Sequence, residues 1–243
     1  MAEFSEVQKA EIQSAVDEYA TWHRRNELPR YAEFIAELQA KVESGHFDHQ
    51  GVMQDMEVVR DFAKTGFLQS PFAQSAQFVK SLDDNQINQV AQHFDDQNKK
   101  SLAWIEKYEP EEGNKMRLKS IVKNTRRFGI SLNEDQKLII AEGLMQYDND
   151  PMERHLLWNR WEEELIELLK NRGQSGFDSK LTSHLHQYQD QMRIHNPERD
   201  IHNRKVSAQI IYDVVHNLDP KQRQVLVAKL DETRRILLRI SSG

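Results

Sequence analysis

Apolar residues recur at three- and four-residue intervals through most of the chain, which is the spacing of one face of an α-helix. Ile12, Ala15, Val16, Tyr19 and Trp22 make one stripe, and Tyr31, Phe34, Ile35, Leu38 and Val42 make the next. Leu157, Trp161, Leu165 and Leu168 line a third, and Val227, Leu230, Leu237 and Ile240 a fourth. No long alternating run and no Asn-Gly hairpin signal accompanies them, so strands are not expected. The pattern predicts helices over residues 5–26, 29–44, 50–64, 71–80, 83–109, 110–128, 133–147, 151–172, 178–194, 197–217 and 219–240. The joints are short, so neighbours fold back on one another. The expected fold class is all-α: about eleven helices in stacked antiparallel pairs, forming a multi-helix bundle.

Local punctuation supports these boundaries. Ser70-Pro71, Asp150-Pro151, Asn196-Pro197 and Asp219-Pro220 each place a short polar cap before a proline at the first helical position, where the missing N–H costs nothing. Pro29 and Pro110 follow weaker caps, and every proline reads as a helix start. An apolar residue, a short polar residue, two free positions and Gln recur at Phe4-Ser5…Gln8, Leu82-Asp83…Gln86, Leu132-Asn133…Gln136 and Leu218-Asp219…Gln222. That is a capping box: the short side chain accepts from the N3 amide, and the N3 Gln reaches back to the cap amide. Asp150 with Glu153 is a related case. Gly45, Gly66, Gly129 and Gly173 sit where helical patterns stop.

At 243 residues the chain suits a single helical domain, 1–243, with a secondary division into a main body, 1–172, and a three-helix segment, 177–240, beyond Asn171-Arg172-Gly173-Gln174-Ser175-Gly176. Charged residues make up 30% against 38% hydrophobic, so the helices are amphipathic rather than buried all round. The net charge of −6 argues against nucleic acid as a partner, which wants a basic face. The absence of cysteine removes disulfides, thiolate metal sites and a cysteine nucleophile. No apolar run approaches the ~20 residues of a membrane helix. Met1-Ala2-Glu3-Phe4 and Ser241-Ser242-Gly243 read as ends added to a natural chain that is expected to extend upstream.

The densest local pattern is Trp22-His23-Arg24-Arg25-Asn26-Glu27-Leu28-Pro29-Arg30-Tyr31. Arg24 and Arg25 fall at the expected carboxyl end of the first helix, where cations suit the dipole. Two readings stay open. In one, the run is a salt-bridged, aromatic-filled corner that fixes the angle between two helices. In the other, Arg24, Arg25, Arg30 and Tyr31, with Trp22 and His23 beneath them, recognise a carboxylate, a phosphate or a partner loop. The run, continued by Phe34 and Leu38, resembles the hallmark of a domain-of-unknown-function family of bacterial lipoproteins. The resemblance, to periplasmic and outer-membrane lipoproteins, implies a secretion signal and a lipid-modified cysteine upstream, hence a lipid-anchored protein on the periplasmic side of an envelope membrane; the expected partner is another envelope protein. It implies no activity. The Leu-Asp-x-x-Gln pattern at Leu82 and Leu218 is similar to the Leu-Thr-x-x-Gln motif of Spy- and CpxP-type periplasmic chaperones and stress sensors, with Asp or Asn in place of Thr.

Catalytic and metal motifs are sparse. His46 and His49 flank a loop, His184 and His186 point to different sides of a helix, and His155 lacks the His-Glu-x-x-His frame. No metal and no cofactor is expected. Asp95-Asp96, Glu111-Glu112 and Glu162-Glu163-Glu164 read as solvated faces. Lys115, Lys119 and Lys123 recur every four residues, extended by Arg126 and Arg127, opposite Met116, Leu118, Ile121, Val122 and Phe128. That basic amphipathic helix suits either solvent or an anionic surface, lipid or protein. The functional expectation is a non-catalytic interaction or structural module of the envelope, with a chaperone or an enzyme on an envelope substrate as alternatives.

Overall fold

The computed structural model describes residues 3–71 and 76–243. Eleven α-helices stand among the described residues, and no strand. They are α1 (Glu6–Ser44), α2 (His49–Leu68), α3 (Ala76–Lys80), α4 (Asp84–Ile105), α5 (Pro110–Arg127), α6 (Glu134–Met145), α7 (Pro151–Lys170), α8 (Phe177–Gln187), α9 (Gln191–His195), α10 (Pro197–His216) and α11 (Pro220–Ser242), with a 3-10 turn at Tyr188–Asp190. The fold is all-α, as the periodicity predicts. Of the helix expected over 71–80, residues 72–75 lie outside the described residues. None of the described helices is long and apolar enough to cross a membrane.

Four expectations are corrected. The break between residues 26 and 29 does not exist: α1 runs unbroken through Pro29, so the Trp22–Tyr31 run is a helix surface and not a corner. An internal proline removes one hydrogen bond and frees the carbonyl four residues back. Here that residue is Arg25, an exposed position, while the contacts of Glu27, Arg30 and Phe34 hold the helix on its buried side. Gly66 does not stop α2, which continues to Leu68. The helix expected over 178–194 is split into α8, the 3-10 turn and α9. Met116 and Phe128 do not join the buried side of α5: they are exposed, and only Leu118, Ile121 and Val122 pack inward. Pro110, Pro151, Pro197 and Pro220 open helices as expected, and Gly45 and Gly129 take the left-handed conformation that ends one.

The chain forms two compact units, each drawn from three separated segments. Unit 1 comprises 1–21, 63–108 and 149–197, and unit 2 comprises 22–62, 109–148 and 198–243. The Asn171–Gly176 stretch lies inside unit 1. Unit 1 is built on α4, α7 and α8, whose Ile87, Trp161, Leu165, Leu169, Leu181 and Leu185 form a buried core. Unit 2 buries Ile130, Leu132, Ile140, Leu144 and Leu218.

All four expected capping boxes are present. What local reasoning does not show is that they join in pairs. In unit 1, Gln8 Nε2 donates to Gln86 Oε1 at 3.1 Å and Gln86 Nε2 donates back to Gln8 Oε1 at 2.7 Å. The second amide hydrogens go to Ser81 O and Glu3 O, and each Oε1 also accepts its own cap amide, from Ser5 and Asp83. Unit 2 repeats the arrangement. Gln136 and Gln222 exchange bonds of 2.8 and 3.0 Å, donate to Asn217 O and Ser131 O, and accept from Asn133 and Asp219. Each glutamine thereby uses both donors and both acceptor positions.

A close approach in unit 2 gives a first prediction. A Cβ built on Gly143 of α6 would overlap Ile210 Cγ1 of α10. Gly143→Ala gains about 1 kcal/mol of helix propensity but forces Ile210 aside, at about 1–3 kcal/mol for overpacking. The variant is expected to unfold at a lower temperature than the parent, measured by circular dichroism, despite the better helix former.

Candidate functional site

The strongest site geometry lies in unit 1, between α4 and α7. These helices pack along most of their lengths and run antiparallel. Arg172 Nη2 meets Asp84 Oδ1 at 2.7 Å near one end, and Asn98 Nδ2 donates to Asn159 Oδ1 at 2.7 Å and Glu162 Oε2 at 2.9 Å near the middle. Beyond that point the helices leave an open cleft of about 820 Å³. From α4 it takes Phe94, Asn98, Ser101 and Trp104, and from α7 Arg154, His155, Trp158 and Glu162. On both helices these positions recur at three- or four-residue intervals, with Arg154 beside His155 at the end of the row, so one face of each lines the space.

Aromatic rings form much of the wall. Tyr188 stacks on Phe67 with centroids 4.9 Å apart and meets Trp158 at 4.9 Å, and Trp161 stands edge-on to Trp158 at 6.3 Å. Trp104 is 46% exposed at the rim. Polar groups converge among these rings. Burial pushes the Glu162 carboxyl above the usual carboxylate range, partly offset by the Asn98 hydrogen bond and the fields of His155 and His93. His155 is only 7% exposed, lines the cleft and makes no hydrogen bond. Arg154 lines it too, with no ion-pair partner. Behind the wall, His184 stacks on Trp161 at 4.7 Å, and burial holds its imidazole below the usual histidine range.

The residues singled out by sequence lie in unit 2. Arg30 is tied down: Nη1 donates to Glu27 Oε1 at 2.9 Å, Nη2 to Asp61 Oδ2 at 3.0 Å, and its guanidinium stands 5.2 Å from the centroid of the Phe62 ring. Tyr31 packs edge-on to Phe62 at 4.7 Å, with its hydroxyl 3.4 Å from His23 Nε2. Trp22 and His23 are half-buried, with ring centroids 6.4 Å apart. Arg24 and Arg25 project into solvent without ion-pair partners. The six side chains therefore do not converge on one point: Arg30 and Tyr31 brace α1 against α2, and Arg24 and Arg25 face outward. On α5, Lys115 pairs with Glu112 at 2.6 Å, while Lys119, Lys123, Arg126 and Arg127 are exposed and unpaired.

Sequence reasoning missed the cleft. It read Trp161 as core, which it is, but Glu162 as one of three solvated glutamates. Glu163 and Glu164 are indeed exposed, but Glu162 turns into the cleft. The signal available was the face Arg154, His155, Trp158 and Glu162, which mixes charge with aromatics at helical spacing. Among the described residues, no three His, Asp or Glu side chains converge as a metal-ligand set.

Comparison with curated proteins yields no match, and neither does comparison with solved structures. A family model does match, over residues 2–198, which takes in nearly all of unit 1 and the first two segments of unit 2. The chain belongs to that family, DUF6279, a family of unknown function.

Proposed function

We propose that this protein is a non-catalytic binding module whose ligand occupies the α4–α7 cleft. The observation that carries the reading is the lining of the cleft: Glu162, His155 and Arg154 converge among aromatic rings on an open space. Desolvated Glu162 and unpaired Arg154 add charges of both signs in the same space. An apolar pocket with a few convergent polar groups and a perturbed carboxyl is the usual form of a ligand site. Ser101 lines the cleft as well, but no hydrogen bond joins it to His155, so an activated nucleophile lacks support. The chaperone reading gains nothing from the Leu-x-x-x-Gln boxes, because their glutamines are fully occupied by one another. On the strength of the Trp22–Leu38 resemblance, the module belongs on the periplasmic side of a bacterial envelope, held by a lipid anchor, with an envelope component as its partner.

Glu162→Gln and Trp158→Leu test the site. Ligand binding raises the thermal midpoint of the parent, by about 2.7 kcal/mol of stability at a hundredfold excess over Kd. A panel of envelope lipids, glycan fragments and peptides is expected to contain a component that shifts the parent and not the Trp158→Leu variant. An equal shift in both would place binding elsewhere, and no shift from the whole panel would overturn the reading. Glu162→Gln carries its own pH signature without ligand. The folded-state carboxyl is raised, so its contribution is fully present below the ordinary carboxylate pKa and is lost as pH rises through the folded value. The variant is therefore expected to match the parent in acid and to melt higher at neutral pH. A lower midpoint at neutral pH would make Glu162 a structural group.

A further inference from the structure

Phe94 faces two spaces. It lines the aromatic cleft, and it also lines a second pocket of about 300 Å³ deeper in unit 1. The walls of that pocket are almost wholly apolar: Val90 from α4, Leu165 and Leu169 from α7, Leu181 and Leu185 from α8, with Ile12 and Ala15 from α1. Among the described residues, Glu11 is its one charged lining residue. Because α4 and α7 are antiparallel, the two spaces follow one another along a single groove. Val90 and Leu169 lie at the apolar end, Phe94 and Leu165 at the junction, Asn98 and Glu162 next, and Arg154 and His155 at the far end.

The order of chemistry along the groove is hydrocarbon, then hydrogen-bonding, then cationic. A space of that size holds about ten groups the size of a water molecule, at about 30 Å³ each. Glu162 stands three residues from Leu165 and eight from Arg154, so the hydrogen-bonding and cationic stations are about 12 Å apart at 1.5 Å per residue. A free fatty acid, whose carboxylate joins its tail directly, cannot occupy all three stations.

We propose that the cleft and the apolar pocket bind one single-chain amphiphile of the lysophospholipid class. Its acyl tail passes Phe94 into the apolar pocket, its ester and hydroxyl neck meets Asn98 and Glu162, and its phosphate meets Arg154 and His155. The proposal rests on the reading of the cleft as the ligand site. It goes further in naming the ligand class and in giving the apolar pocket a role.

The test uses the full chain and 1-acyl lysophosphatidates of six to fourteen acyl carbons, below their micellar concentrations, with isothermal titration and emission from the cleft tryptophans as readouts. Binding at one ligand per chain is expected. Affinity should rise by about tenfold for every two carbons and level off near ten carbons, where the pocket is full. Dodecanoate and glycerol 3-phosphate, which lack the neck and the tail respectively, should bind far more weakly. Arg154→Ala should weaken the phosphate-bearing ligand by about tenfold. Val90→Phe, which fills the pocket, should remove the chain-length dependence and leave glycerol 3-phosphate binding unchanged. Ala15→Leu narrows the pocket from α1 and serves if Val90→Phe does not fold. If tailed and untailed phosphates bind alike, the amphiphile is overturned and the cleft reading survives. If binding responds to Val90→Phe but not to Arg154→Ala or Trp158→Leu, the tail pocket acts alone and the cleft reading falls. No binding by any lysophosphatidate overturns the proposal outright.

Discussion

Replacing Gln136 by leucine is expected to lower stability by about 1–3 kcal/mol, the cost of leaving hydrogen-bonding groups at a buried junction short of partners. Gln136 is fully buried and uses every hydrogen-bonding position of its amide. Leucine takes away the bonds to the Asn133 amide and the Asn217 carbonyl, and one of the two bonds at each end of the Gln222 amide, which keeps Ser131 O and the Asp219 amide. The thermal midpoint should fall by roughly 2–4 °C per kcal/mol in a chain of this size. Glutamate in the same place keeps the shape but donates nothing when ionised, and it turns a carboxylate toward Gln222 Oε1, so Gln136→Glu should recover stability on acidification. The double variant Gln136→Leu/Gln222→Leu separates pairing from burial. When both partners become apolar the stranded groups are fewer, and the pair should lose less than the sum of the single variants. Strict additivity in urea titrations would mean that the two amides do not depend on one another.

Trp161→Ala is expected to be the most damaging single change in unit 1, at about 3–5 kcal/mol for deleting a buried indole. Trp161 is 5% exposed, its Nε1 donates to His184 O at 3.2 Å, and His184 Nε2 lies 2.9 Å from Trp161 O. The side chains thus cross-link α7 and α8 through each other's backbone, and their rings stack at 15°. The pair also links stability to pH. Burial lowers the folded-state pKa of His184, so the unfolded chain takes up its proton first. The contribution of the neutral imidazole is complete above the unfolded value of about 6.5. It is lost as pH falls below that value toward the folded one. His184 therefore weakens the parent between pH 7 and pH 5, against the opposite contribution of the raised Glu162 carboxyl. Trp161→Ala, which opens His184 to solvent, should be weaker at both pH values but show a smaller change between them. An equal change would remove His184 as the source.

What the sequence made legible was local. Capping boxes act between residue i and i+3, and all four were readable because the competing conformations are also local. Pro29 was misread for the complementary reason. Its local preference is to begin a helix, and the contacts that override it, Arg30 with Asp61 and Tyr31 with Phe62, come from residues about thirty positions away. Phe128 was assigned to the buried face of α5 by extending the period one residue too far, past the end of the helix at Arg127. The cleft was invisible because α4 and α7 meet across some sixty residues, Asn98 to Glu162, and no local pattern announces the pairing. The glutamine pairs were half visible: the caps were readable, their partners were not.

Each unit is stitched from three lengths of chain, and the backbone passes between units five times, twice in mid-helix within α1 and α2. Multidomain chains generally fold their amino-terminal part first during synthesis. That route is closed here. Unit 1 lacks its last segment until residue 197 has been made, and unit 2 until α11 is complete. Neither core can therefore close around a nascent chain that is still short of its last segment, and completion of the two units is deferred to the end of synthesis.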